Sequence, residues 1–165
     1  MENRSVRCWG DNTFGQLGNG ISGSVNDSSL SVQVDLGLGR TARSIDTSHS
    51  HTCAVLDDYS LKCWGANSRG QLGDNTTVDR FSPVMVIEAS STDDSSSNNG
   101  SGGLNDDVQV NAIPMVSTGY AHTCALTNNG SVWCWGDNGM GQLGDGNGNN
   151  SNRTSRNMGA PRHVL

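Results

Sequence analysis

HTCALTNNGSVWCWGDNGMGQLGDG, residues 122–146, decides the reading of this chain. His122 to Leu126 is a short apolar run, Asn128-Asn129-Gly130 is a turn signal, and Val132 to Trp135 is a second apolar run. Two such runs around an Asn-Gly turn predict a β-hairpin. A glycine-studded loop, GDNGMGQLGDG, follows it. The pattern recurs: CWGANSRGQLGDN occupies 63–75 and CWGDNTFGQLGNG occupies 8–20, while HTCAVLDDYSLKCWG at 51–65 matches HTCALTNNGSVWCWG at 122–136. Between 63–74 and 134–145, nine of twelve residues are identical. The chain is therefore an internal repeat, and everything else is read against that period.

Composition agrees. Of 165 residues, 33% are hydrophobic and 22 are glycine. Long amphipathic helices have no room here, whereas many short strands joined by glycine-rich turns do, so the fold class is all-β. The net charge of −6 excludes a non-specific binder of phosphate backbones, which needs a basic face, and no nucleic-acid partner is expected. No apolar stretch approaches the roughly 20 residues that span a membrane. The N-terminus, MENRSVRCWG, has no apolar h-region and is not a signal peptide.

Five cysteines carry a second pattern. Cys53 and Cys63 are ten apart, as are Cys124 and Cys134, and each pair places one cysteine on each strand of a predicted hairpin. With the loop at Asn128 to Gly130, residue 127 faces 131 and Cys124 faces Cys134. Facing residues have Cβ atoms about 4.5–5.5 Å apart, slightly wide for a disulfide, but a non-hydrogen-bonded pair is closer and allows a bridge. Both readings stay open: two disulfides, favouring an extracytoplasmic compartment, or small buried thiols in the cytoplasm. Cys8 is expected to be unpaired, because no His-Thr-Cys strand precedes it. It is read as the result of truncation rather than as a reactive thiol.

In chain order, residues 1–20 read as the last strand and loop of a truncated unit. Residues 31–80 read as a complete four-stranded unit, with SVQVDL at 31–36 as its first strand. Residues 81–150 read as a second, beginning at FSPVMVIE. The segment 89–107, ASSTDDSSSNNGSGGLNDD, has almost nothing to bury and reads as a low-complexity flexible insert. The separation of Cys63 from Cys134 exceeds that of Cys8 from Cys63, 71 residues against 55, and the spacing places the insert between the first and second strands of a unit. APRHVL at 160–165 reads as the first strand of a further unit.

Four short antiparallel strands repeating about every 40–50 residues predict a propeller blade. The residues VSTGYAHTCAL (116–126) and CWGDNGMGQLG (134–144), with their looser copies at 45–55 and 63–73, resemble the regulator of chromosome condensation repeat family, in its bacterial and archaeal-type variety with paired cysteines. The resemblance covers the chain outside 89–107 and implies blades of a seven-bladed β-propeller, two complete and two partial. Ser48 stands where the better copy has Gly119, and Tyr59 stands where it has Gly130. A bulky left-handed residue costs on the order of 1 kcal/mol, so a different turn is expected at 57–60. Two blades do not close a ring of about 4–8. The chain is then a fragment of a larger propeller, a ring closed by oligomerisation, or an open arc whose blade edges invite self-association.

The motifs divide into chemistry and scaffolding. Gly139 to Gly144 spells G-x-G-x-x-G, but DGNGNNSNRTS follows it, not the helix a dinucleotide fingerprint needs. No cofactor is expected. In the repeated signature, Gly15, Gly18, Gly70, Gly73, Gly141 and Gly144 shape a tight loop. Leu17, Leu72 and Leu143 insert between blades, and Gln16, Gln71 and Gln142 bond backbone of a neighbouring loop. Trp9, Trp64 and Trp135 pack between blades, and the position of Trp133 faces out. His51 and His122 each stand two before a cysteine, yet each repeat offers at most three of the four ligands of structural zinc, so they are read as structural and no metal is expected. Asp145 to Asn149 lacks the acidic twelfth position of a calcium loop, where Arg156 stands.

No catalytic residue is singled out, since a nucleophile or acid–base pair should be singular and these residues recur. The expected function is a non-enzymatic module that binds a protein partner. Its alternatives are guanine-nucleotide exchange on a small GTPase, implied by the resemblance, and a secreted or surface scaffold, supported by the cysteines.

Overall fold

The computed structural model describes residues 5–87, 112–128, 130–146, 148–149 and 151–156. Among them are ten strands in three antiparallel sheets. The first sheet pairs β1 (Arg7–Gly10) with β2 (Ser28–Gln33). The second runs in order through β3 (Ala42–Thr47), β4 (His51–Leu56), β5 (Leu61–Gly65) and β6 (Arg80–Met85). The third repeats it with β7 (Met115–Thr118), β8 (His122–Leu126), β9 (Val132–Gly136) and β10 (Ser151–Arg156).

The sheets share one register. Cys63 pairs with Val84 and Gly65 with Arg80; in the first sheet Cys8 pairs with Val32 and Gly10 with Ser28, and in the third Cys134 pairs with Ser155 and Gly136 with Ser151. All three carry an irregularity at the same step. The hairpins match as well, with Cys53 opposite Cys63 and Cys124 opposite Cys134.

This register displaces the expected unit boundaries. The strand after each Gly-Gln-Leu-Gly loop does not open a new blade. Instead the loop reverses the chain, and the strand runs back beside the one just left. Residues 28–33 thus complete the sheet begun by β1, and 80–85 complete the sheet 42–85 rather than opening 81–150. The insert 89–107 accordingly falls between two sheets and not within one. Its own conformation, and the expected strand at 160–165, lie outside the described residues. The strand at 151–156, between the expected units 81–150 and 160–165, takes the outer place of the third sheet.

Burial lies between the sheets. Ala54, Leu56 and Trp64 pack with Val6, Val34 and Leu36 on one side of the second sheet. Cys53, Val55, Leu61 and Cys63 pack with Leu72, Val86, Ile113, Val116, Ala125 and Trp135 on the other. Because β4 is covered on both faces, all six of its residues are buried, the apolar Cys53–Leu56 in the two cores and the polar His51 and Thr52 through side-chain hydrogen bonds to neighbouring sheets and loops.

The turn at 57–60 is not a different one. Tyr59 has φ 65° and Gly130 has φ 82°. Leu56 N–H donates to Ser60 O and Tyr59 N–H to Leu56 O, matching Thr127 to Ser131 and Gly130 to Thr127. The left-handed cost at Tyr59 is offset by stacking, since the Arg43 guanidinium lies 4.1 Å from the centre of its ring.

Candidate interaction face

The repeated loop is built around an asparagine. In the second sheet Asn67 is fully buried; its Oδ1 accepts the Leu72 N–H at 2.9 Å, and its Nδ2 donates to Thr76 O, Val78 O and Asp74 Oδ1 at 3.1–3.2 Å. Asn12 and Asn138, also fully buried, hold Leu17 N and Leu143 N in the same way. Pinning that amide drives the leucine inward: Leu17, Leu72 and Leu143 are at most 2% exposed. Sequence reasoning missed these asparagines. Their signal is the fifth position of Cys-Trp-Gly-x-Asn, occupied in all three copies.

The glutamine acts through its backbone. Trp135 Nε1 donates to the Gln71 carbonyl at 2.9 Å and Thr123 Oγ1 donates to the same oxygen at 2.8 Å; Trp64 and Thr52 make the same pair of bonds to Gln16 O. The expectation that the glutamine side chains reach a neighbouring loop is corrected. Their Oε1 atoms accept N–H groups of their own loop, from Phe14, Arg69 and Met140, because a carbonyl two residues away closes the tight turn. Gly73 completes the joint: at φ 67° a Cβ there would lie 2.6 Å from Trp135 Nε1.

Two tryptophans depart from expectation. Trp9 is 67% exposed while Trp64 and Trp135 are fully buried, since each buried indole rests on a Gly-Gln-Leu-Gly loop from the preceding repeat and none of the described residues places such a loop against Trp9. Trp133 does not face out but packs half-buried against the core.

His51 bridges two sheets. Its Nδ1 lies 2.8 Å from Ser48 Oγ and its Nε2 lies 2.9 Å from Thr123 Oγ1. The Thr123 hydroxyl already donates to Gln71 O, so it accepts from Nε2–H, and Ser48 donates to Nδ1. The ring is neutral: burial pulls its pKa down to about 4, with His122 adding to the effect and Asp46 opposing it. At the equivalent turn a Cβ on Gly119 would collide with the His122 ring, whereas Ser48 binds the ring of His51.

Cys53 with Cys63 and Cys124 with Cys134 form disulfides, with Cα atoms 4.1 Å apart, the narrow class of cross-strand pair. Cys8 is a free, half-buried thiol whose pKa burial pushes up to about 11. Among the described residues no cluster of three His, Cys, Asp or Glu could hold a metal, and no helix is long and apolar enough to cross a membrane.

One end of the sheets collects the variable positions. Ala66 N–H bonds Ser50 O and Asp137 N–H bonds Ala121 O, which fixes the turns at 48–50 and 119–121 beside the long loops. Immediately before Gly-Gln-Leu-Gly stand Phe14, Arg69 and Met140, and Met140 is 93% exposed. At the turn tips stand His49 and Tyr120, stacked with ring centres 4.9 Å apart. Arg69 reaches Asp137 of the next loop at 4.0 Å. A fixed frame thus displays differing side chains in a row.

Comparison with known proteins places these features. The chain matches the family described as Regulator of chromosome condensation (RCC1) repeat over residues 42–71 and 116–142, and a second description of the same repeat over 63–126. It is 30% identical over 139 residues to the probable E3 ubiquitin-protein ligase HERC4 of Mus musculus, covering 84% of this chain and 11% of that protein. It is 30% identical over 142 residues to the ultraviolet-B receptor UVR8 of Arabidopsis thaliana, covering 86% and 27%. The chain therefore spans only a small part of these relatives. In fold it is similar to Prp20p of Saccharomyces cerevisiae, with a TM-score of 0.73, 19% identity, and coverage of 94% of this chain and 34% of that one. The three sheets are blades of a partial β-propeller.

Proposed function

Because the chain belongs to the regulator of chromosome condensation (RCC1) repeat family, we propose that it is a non-enzymatic module that binds a protein partner through the loop-bearing end of its blades. The observation that carries this reading is the display of Phe14, Arg69, Met140, His49 and Tyr120 from repeat positions whose frame is otherwise constant. Exposed aromatic and methionine side chains on a rigid frame suit a protein contact. Prp20p has binding properties toward Gsp1p and histones, and yeast RCC1 (Prp20) has been solved with Kap60 bound to it; both support protein binding as the work of this fold. The ligase activity named for HERC4 is not carried over, since the chain matches 11% of that protein. The two disulfides favour an oxidising compartment.

Guanine-nucleotide exchange on a small GTPase is the second reading. The carboxylates of Asp11, Asp27 and Asp137 at this end favour it, and the disulfides weigh against it. Affinity selection with wild type and with Tyr120→Ala/Met140→Glu tests the first reading. Binding should be lost in that variant and kept in Leu38→Glu at the opposite end; the reverse pattern overturns it. Acceleration of labelled GDP release from small GTPases by the wild type would favour the second.

A further inference from the structure

The residue after Gly-Gln-Leu-Gly is Asp74 in the second loop and Asp145 in the third, but Asn19 in the first, where Gly20 follows it. We propose that Asn19-Gly20 is a site of spontaneous deamidation, and that the aspartate formed there takes the place that Asp74 and Asp145 hold in the other loops. This inference concerns the covalent chemistry of the first loop and stands apart from the reading of the loop-bearing end.

Hydrogen bonding says what the position suits. The buried asparagine of each loop donates its Nδ2 to it: Asn67 to Asp74 Oδ1 at 3.1 Å and Asn138 to Asp145 Oδ1 at 2.9 Å, but Asn12 to Asn19 Oδ1 at 3.5 Å. The backbone N–H two residues on behaves alike, with Thr76 N 3.0 Å from Asp74 Oδ1 and Ile21 N 3.4 Å from Asn19 Oδ1. Both bonds to the carboxamide are long for N–H···O, and a carboxylate shortens and strengthens such bonds. Asp74 also binds Arg80, which stands opposite Gly65. The position does not depend on that arginine. Serine stands at its register place in the third sheet, Ser151 opposite Gly136, as Ser28 stands opposite Gly10 in the first.

Exposure says why the conversion happens at this residue. Asn19 and Gly20 are both exposed, and Gly20 has no side chain to shield its nitrogen. That nitrogen, on losing its proton, attacks Asn19 Cγ; the Cγ–Nδ2 bond breaks, ammonia leaves with the proton, and a succinimide closes. Water then adds to the ring, and opening at Cγ gives aspartate while opening at the main-chain carbonyl gives isoaspartate. The bond that must open first is that from Gly20 N–H to Phe81 O, at 2.8 Å on the surface. Asn138-Gly139 is the same dipeptide in the third loop and serves as a control within the molecule. Asn138 is fully buried, its Oδ1 accepts Leu143 N–H and its Nδ2 donates to Asp145, so its carboxamide cannot turn onto the next nitrogen without breaking both bonds.

The folded full chain, aged at neutral pH and digested with trypsin, reports both sites. Asn19 is in the only Asn-Gly pair of the peptide 8–40, and fragmentation of the peptide 81–153 separates Asn138 from the other pairs there. Conversion of amide to acid at Asn19 should run at least about tenfold faster than at Asn138, the effect of two buried bonds that must break. It should yield isoaspartate beside aspartate and quicken as hydroxide rises. In urea the two rates should converge, because the dipeptide is the same. Equal rates in the folded chain, or aspartate with no isoaspartate, overturn the deamidation. Asn19→Asp tests the place the product takes: its Tm at neutral pH should lie about 2 °C above that of the unaged wild type. The gain should vanish in acid, where the carboxylate is protonated. An unchanged or lowered Tm, or a gain that survives acid, overturns that part.

Discussion

His51 Nε2 and Thr123 Oγ1 lie 2.9 Å apart across the seam between two blades, and burial of the imidazole there favours its neutral form. A protonated ring would place a second donor against Ser48 and a charge in a fully buried site. The pKa of His51 is drawn from 6.5 to about 4, chiefly by burial. The unfolded chain therefore binds the extra proton first. Stability is whole above pH 6.5, falls as pH drops below it, and stops falling on this account near pH 4. The loss is on the order of 3 kcal/mol. Asp74, which burial pushes up but hydrogen bonds from Thr76 and Arg80 hold below 3.8, loses its contribution at lower pH. Denaturant unfolding at pH 7.5 and 4.5 should show the drop in wild type and a flatter dependence in His51→Asn; parallel slopes refute the assignment.

Asn67→Asp should be worse than Asn67→Ala, although it is nearly isosteric. Aspartate returns the acceptor for Leu72 N but turns an oxygen toward Thr76 O, Val78 O and the Asp74 carboxylate. Each buried group left unsatisfied costs about 1–3 kcal/mol, more when charged. Thermal unfolding of the two variants at neutral pH decides the order.

What the sequence yields here is what short-range geometry fixes. The hairpin 122–136 is legible because a short turn sets its register, so Cys124 falls opposite Cys134 from spacing alone. The blade boundary is not legible, because β5 and β6 are joined by the loop 66–79 and nothing local says whether the next strand turns back or moves on. Trp9 and Trp64 look alike in sequence; their burial is decided by a carbonyl in another repeat, Gln16 O, reached only in three dimensions. Asn12, Asn67 and Asn138 recur openly, but in a chain rich in asparagine loops they read as turn residues, and only their full burial marks them as the pins of the fold.

Tyr59 and Arg43 form a coupled pair. Tyr59 is held at φ 65° and Arg43 stacks on its ring. Replacing Tyr59 by glycine relieves about 1 kcal/mol of left-handed strain but forfeits about 0.5–1 kcal/mol of cation–π attraction and adds unfolded-state entropy. Tyr59→Gly should therefore be close to neutral in wild type and more favourable in Arg43→Ala. A double-mutant cycle by urea denaturation measures the coupling, and zero coupling would show that the stacking contributes nothing.

Trp135→Phe should cost about 1–2 kcal/mol, a lost hydrogen bond plus a small cavity. The cost stays at the low end because Thr123 Oγ1 still donates to Gln71 O, so the carbonyl is not left bare. Thr123→Val in the Trp135→Phe background strips both donors, and it also leaves His51 Nε2 without its acceptor. The second substitution should then cost more in that background than in wild type, since the carbonyl loses its last partner only there. Additive losses would mean that the two donors act separately and that the carbonyl of the Gly-Gln-Leu-Gly loop is not the shared anchor of the seam.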